Sequence, residues 1–358
     1  MPPNIPKRNR MTSNVDENKK VAHWLLACCA LVFVMVVLGG VTRLTGSGLS
    51  MTDWRPVTGI LPPLNTEEWR ESFEMYQATP EFQKINSQMD IQDYKGIYWL
   101  EYLHRLLGRI IGIVFIVPFL VFVGKGYIRR EQWLKYVAMF ILGGMQGVLG
   151  WYMVKSGLVD NPHVSQYRLT AHLLGAFLIY AYMLWVALSL LYPIGNGQPH
   201  KSYSRTIALT GLIILTVVSG GFVAGLQAGK IYNTFPMMGK YWIPPDLIAL
   251  DPLWRNIFEN LATVQFNHRI LGLTTFLFIC VYWFNMQKKD LPLRAEKGIK
   301  ALLHTSILQV VLGISTLLLV VPISLAAAHQ AVAMLLFTVA LFNCHTLSRC
   351  VGPTNPAD

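Results

Sequence analysis

Two stretches of this chain carry chemically capable residues in matching order. Residues 98–109 read YWLEYLHRLLGR and residues 264–272 read VQFNHRILG, so that His104 falls on His268, Arg105 on Arg269 and Gly108 on Gly272. The correspondence continues with QGVLG at 146–150 and QVVLG at 309–313, with TAHLL around His172 and AAHQA around His329, and with Gly39-Gly40 and Gly220-Gly221. Imidazoles ligate metals or carry protons. One such histidine is equally well explained by a hydrogen bond between helices; four at equivalent positions are not. Two histidines per half, without a cysteine or carboxylate of their own, suit a low-spin haem iron better than zinc, which takes four protein ligands. One bis-histidine haem site per half is therefore expected. The halves differ at one telling position: Glu101 stands three residues before His104, where the second half has Gln265. Residues i and i+3 share a helix face, so Glu101 is expected on the side of whatever His104 ligates. A carboxylate there can move a proton and an amide cannot, which assigns chemistry to the first half and electron carriage to the second. Arg105 and Arg269, next to the ligands, suit the propionates of a haem.

These residues must be positioned by membrane helices. The 358 residues are 53% hydrophobic and only 14% charged, a balance outside that of soluble domains. Apolar runs long enough to span hydrocarbon lie near 22–41, 103–124, 133–154, 169–191, 206–227, 266–285, 300–320 and 324–346. The first run lacks a clear A-x-A cleavage site and reads as retained. With the N-terminus inside, the net charge of +11 falls on the inner segments, above all KGYIRREQWLK and QKKDLPLRAEKGIK. This positive-inside pattern puts both termini in the cytoplasm and explains the basic charge without a nucleic-acid partner. The expected fold is all-α and integral to the membrane: eight transmembrane helices as two pseudo-symmetric four-helix bundles. An even number of spans per half makes the repeat parallel. The domains are then a tail 1–21, an N-terminal bundle 22–192 with outer loop 42–97, a linker 193–205, a C-terminal bundle 206–347 with outer loop 228–265, and a tail 348–358.

The matched histidines all fall near the outer starts of their spans, within the first two turns or so. The long outer loops, rich in Trp, Tyr and Pro, read as ordered caps. Asn65 and Glu68 have capping-box spacing, and Asp251 followed by Pro252 announces a second loop helix. Cys28, Cys29, Cys280, Cys344 and Cys350 lie in or near spans, so no structural disulfide is expected. His23, His163, His200, His304 and His345 have no repeat partners and receive no role.

GGVTRLTGSGLSMTDW with GILPP, EYLHRLLGR, AGLQAGKIYNTFPMMG, TVQFNHRILG and AAAHQ, in this order over residues 22–346, resemble the haem A synthase family, in the branch shared by alphaproteobacteria and mitochondria. The resemblance implies oxidation of the C8 methyl of haem O to the formyl group of haem A. His104 and His172 would flank substrate haem O, His268 and His329 would ligate the iron of a haem B cofactor, and Glu101 would be the required glutamate. The cysteine pair of the bacillus-type branch is missing, so no mechanism using that disulfide transfers. The resemblance also suggests contact with the protoheme farnesyltransferase that makes haem O. It leaves the electron acceptor unnamed and is compatible with a homo-oligomer. Asp16 and Glu17 in a short tail favour a bacterial inner membrane over a mitochondrial one. A di-haem cytochrome b that only passes electrons explains the histidines equally but leaves Glu101 idle, and a transporter of parallel repeats has no use for four histidines at one level.

Overall fold

The computed structural model describes residues 7–52, 60–155, 157, 163–193 and 197–348. Cys350, part of WRPVTGILPP and most of the C-terminal tail lie outside them. Among the described residues the chain is helical, without strands. In chain order the α-helices are α1 (Lys7–Leu44), α2 (Thr66–Gln77), α3 (Pro80–Lys84), α4 (Ile91–Gly124), α5 (Trp133–Lys155), α6 (Gln166–Leu191), α7 (Tyr203–Leu226), α8 (Asn256–Glu259), α9 (Leu261–Met286), α10 (Leu293–Leu318) and α11 (Ile323–Ser348). Eight of them, α1, α4 to α7 and α9 to α11, are long and apolar enough to cross a membrane, matching the runs read from the sequence. The helix of the first span begins earlier than the apolar run, because no proline interrupts residues 7–44.

The spans bury one side and present the other to lipid. Trp24 on α1 stacks near Phe115 of α4 at 4.9 Å and donates its indole N–H to the Val114 carbonyl at 2.8 Å. Leu120, Leu277 and Phe284 are about 60% exposed, which is stable for a span because hydrocarbon, and not water, faces them. α1 and α5 each pack against both α4 and α6, and α7 and α10 each pack against both α9 and α11. In each set of four, the two helices carrying matched histidines are thus bridged by the other two. The sets meet through α1 with α11 and through α6 with α7 and α11. Phe177 packs on Phe337 there at 5.4 Å, and the Tyr180 and Thr338 hydroxyls bond at 2.8 Å.

The connection between α1 and α4 is an ordered cap. Asn65 caps α2, accepting from the Glu68 N–H at 2.9 Å, while the Glu68 carboxylate returns to the Leu64 N–H and the Asn65 amide. α4 starts well before its apolar run: Asp90 accepts from the N–H groups of Gln92 and Asp93 and closes a capping box with Asp93. The extension carries Tyr94, Tyr98 and Tyr102, which form an aromatic cluster with Trp69 and Tyr76 of α2. The second long connection corrects one expectation. Asp251 and Pro252 do not start a continuous helix; Leu253–Arg255 is a 3-10 turn, and α8 ends after one turn. The reason is Asn256, whose side chain binds the N–H groups of Ala249 and Leu250 and the carbonyls of Leu250 and Leu253. Asn260 then makes the real cap, accepting from the Thr263 N–H at 3.1 Å.

Candidate functional site

Each of the four matched histidines lies against a glycine of a neighbouring helix. A Cβ on Gly39 of α1 would stand 2.9 Å from His104 Cε1, and one on Gly220 of α7 would stand 3.0 Å from His268 Cε1. Likewise Gly150 of α5 would meet His172 Cε1 at 3.3 Å, and Gly313 of α10 would meet His329 Cε1 at 2.9 Å. These are separations that real side-chain carbons rarely or never show, so only glycine accommodates the rings as placed. Repeat-equivalent glycines thus seat repeat-equivalent histidines.

The Nδ1 atoms of all four are buried without a hydrogen-bond partner. An unsatisfied buried polar atom typically costs about 1–3 kcal/mol, so four at matched positions require a compensating ligand rather than four coincidences. Among the described residues no group of three or more His, Cys, Asp or Glu stands ready to hold an ion. Two imidazoles with little else fit a group that brings its own equatorial donors, as a haem does. His104 sits nearly four turns into α4, whereas His172, His268 and His329 sit about two turns into α6, α9 and α11. The difference is the Asp90-capped extension, which adds turns beyond the apolar run and does not move the histidine within it.

The Glu101 carboxylate, 3% exposed, is fully engaged. It accepts from Ser50 Oγ at 2.7 Å and from the Met51 N–H at 2.8 Å, and it pairs with Arg105 Nη2 at 2.5 Å. Arg105 also donates to the Met51 carbonyl at 2.9 Å. The spacing that puts Glu101 beside His104 therefore does not leave its carboxylate open; the first connection grips it. In the second half the polarity of that grip inverts. Gln265 Nε2 donates to the Tyr232 carbonyl at 3.1 Å, and Arg269 donates to the carbonyls of Tyr232, Thr234 and Met237. One connection offers donors to a carboxylate; the other offers acceptors to an amide and a guanidinium. Ser50 and Met51 are site residues that sequence reading missed, since a serine in a long loop carries no signal of its partner.

Two further contacts tie the halves together. A Cβ on Gly40 would collide with the side chain of Gln330, whose Nε2 donates to the Val36 carbonyl at 2.8 Å. A Cβ on Gly221 would stand 2.9 Å from Thr170 Oγ1. Gly40 follows the seat of His104, Gln330 follows His329, and Thr170 precedes His172 by two residues. Arg43, given no role from sequence, donates to the Gly225 carbonyl across the same seam at 3.0 Å. Cys28, Cys29, Cys280 and Cys344 are free. His345 of α11 bonds to Ser189 Oγ of α6, and His200 accepts locally from the Ser202 N–H.

Fold and site together define a polytopic helical membrane protein with paired, half-buried histidines in its spans, seated on glycine. Residues 22–341 match the family described as cytochrome oxidase assembly protein, COX15-CtaA, and the chain belongs to that family. Similar proteins include Heme A synthase of Nitrosospira multiformis, 53% identical over 336 residues, covering 92% of this chain and 94% of its own. Heme A synthase of Parvibaculum lavamentivorans is 44% identical over 349 residues, with coverage of 96% and 99%. Heme A synthase COX15 of Homo sapiens is 46% identical over 344 residues, with coverage of 92% and 83%.

Proposed function

We propose that this chain is a haem A synthase, a membrane oxidoreductase of haem biosynthesis that converts the C8 methyl group of haem O to the formyl group of haem A. One observation carries the reading beyond family membership: two histidine pairs are seated alike, but a carboxylate accompanies only one. His104 and His172 hold the substrate haem O, and His268 and His329 hold haem B. The cofactor supplies reversible one-electron chemistry when bound. Oxidation of a methyl carbon to an aldehyde, with its oxygen taken from water, releases protons as well as electrons, and Glu101 is the group beside the substrate pair able to take up the protons. Ser50, the Met51 N–H and Arg105 hold that carboxylate in one orientation, ready to accept a proton when one of these bonds is exchanged. Arg105 and Arg269 contact propionates; the Nε of Arg269, buried without a partner, is a donor such an oxygen would satisfy. A haem held by His268 and His329 would supply one-electron transfer toward an acceptor outside this chain.

The two sets of four helices act as parallel bundles in a bacterial inner membrane, with both termini cytoplasmic. The basic inner loops support this orientation. The insolubility of haem O favours direct transfer from the farnesyltransferase that makes it. Expression beside a source of haem O, followed by pigment extraction, tests the reading. Formyl haem is expected; haem B alone supports the cytochrome b alternative. Glu101→Gln, which copies the second half, should keep haem bound and stop formyl production, and normal haem A output from that variant would remove Glu101 from the mechanism.

A further inference from the structure

The cap over the first histidine pair contains a second buried carboxylate that the mechanism above does not use. Glu81 on α3 is 6% exposed and Tyr76 on α2 is 0% exposed. Thr79 folds the chain between them: its hydroxyl donates to the Tyr76 carbonyl at 2.7 Å and accepts from the Phe82 N–H at 3.3 Å. This turn brings the Tyr76 hydroxyl 3.1 Å from Glu81 Oε2, to which it donates. The ring of Tyr76 stacks on Tyr94 of α4 at 5.1 Å and 26°. The Tyr94 hydroxyl in turn donates to the Ser50 carbonyl at 3.2 Å, and Ser50 Oγ donates to Glu101. Glu81 is thus tied to Tyr76 and Glu101 to Ser50, and two stacked tyrosines, one of them bonded to the Ser50 carbonyl, lie between the two carboxylates. Everything between the two carboxylates is buried.

We propose that Glu81 is the proton-accepting partner of Glu101, carrying protons from the substrate-haem site toward the outer surface of the cap. The inference rests on the haem A synthase reading. The step is a proton shift alone: an O–H bond breaks at Glu101 and one forms at Glu81, with Glu101 left ionised beside Arg105. The total charge of the buried cluster does not change, so no counter-ion has to enter. The groups facing Glu81 are Tyr76 from α2, Glu101 from α4 and Arg43 from α1. Burial pushes the Glu81 carboxyl up to about 7; the Tyr76 hydrogen bond opposes the rise, Glu101 adds to it and Arg43 opposes it. A group that titrates near neutrality can both take and release a proton at working pH, which a carboxylate in its ordinary range cannot.

The test uses the full chain in lipid nanodiscs. Infrared difference titration of wild type and Glu81→Gln should show one protonated carboxyl signal that disappears as pH rises through about 7 in wild type and is missing from the variant. Glu81→Gln should keep wild-type haem content, lower haem A formation by about tenfold at neutral pH, and lose the pH dependence centred near 7. Tyr76→Phe, which removes the hydroxyl that donates to Glu81 and accepts from the Asn86 amide, should move the carboxyl signal to higher pH. A Glu81 signal titrating in the ordinary carboxylate range, or an unchanged pH profile and rate in Glu81→Gln, overturns the proposal. If wild type itself makes no formyl haem, the parent reading fails instead, and the infrared result still reports on Glu81.

Discussion

At the level of single residues, the four glycine seats separate two sites that otherwise look alike. Gly39→Ala pushes a carbon to within 2.9 Å of the His104 ring, and Gly220→Ala does the same at 3.0 Å to His268. Helix backbones cannot yield as easily as a flexible side chain, so the ring itself must move. Gly39→Ala should empty the first pair and leave the second loaded, Gly220→Ala the reverse; the haem-to-protein ratio and visible spectrum of each purified variant check this. Glu81 gives a stability prediction at the same scale. Its folded pKa of about 7 stands above the ordinary 4.5, so its favourable contribution is complete below about 4.5 and is lost as pH rises through about 7. Protease resistance of the cap should fall across that window in wild type and stay flat in Glu81→Gln.

Among the elements, helix caps decide how far the loops are held over the spans. Asp90 satisfies two of the N–H groups that a helix start leaves unpaired. Asp90→Ala should destabilise the outer end of α4 by about 1 kcal/mol, loosening the turn that carries Tyr94 and Tyr98. Asn260 does more, because besides capping α9 it donates to the Asp246 carbonyl at 2.8 Å and to Asn256 Oδ1 at 3.1 Å. Asn260→Ala removes the cap, the partner of the Asp246 carbonyl and one of three donors to Asn256 Oδ1, and should cost more than the Asp90 change. Thermal unfolding followed by proteolysis of the second connection would rank the two variants, and the opposite ranking would show that the Asn260 network is dispensable.

For the whole molecule, the seam between the two sets of helices is the coupling element. Gln330, adjacent to His329, reaches the carbonyl of Val36 on α1, and α1 carries the glycine that seats His104. Gly40→Leu has no room against Gln330 and should part α1 from α11. Unlike Gly39→Ala, it is expected to lower haem content at both pairs, and loss confined to one pair would show that the halves bind independently.

The sequence by itself determined the eight spans, because hydrocarbon thickness imposes a length and composition that any reader can count. It also determined the four histidines, the two arginines and the single difference between Glu101 and Gln265, because an internal repeat supplies its own comparison. The same repeat put the paired glycines in view, though not their purpose. Only the tertiary structure decided that those glycines seat the histidines, that Ser50 and Met51 grip Glu101, and that Glu81 stands buried in the same cap. It also broke the helix that Asp251 and Pro252 announce, through an asparagine whose partners lie on the far side of a turn. The glycine seats and the Glu101 grip depend on contacts between segments distant in sequence, the Asn256 turn on bonds within one loop, and spacing along a chain carries no record of which donor will meet which acceptor.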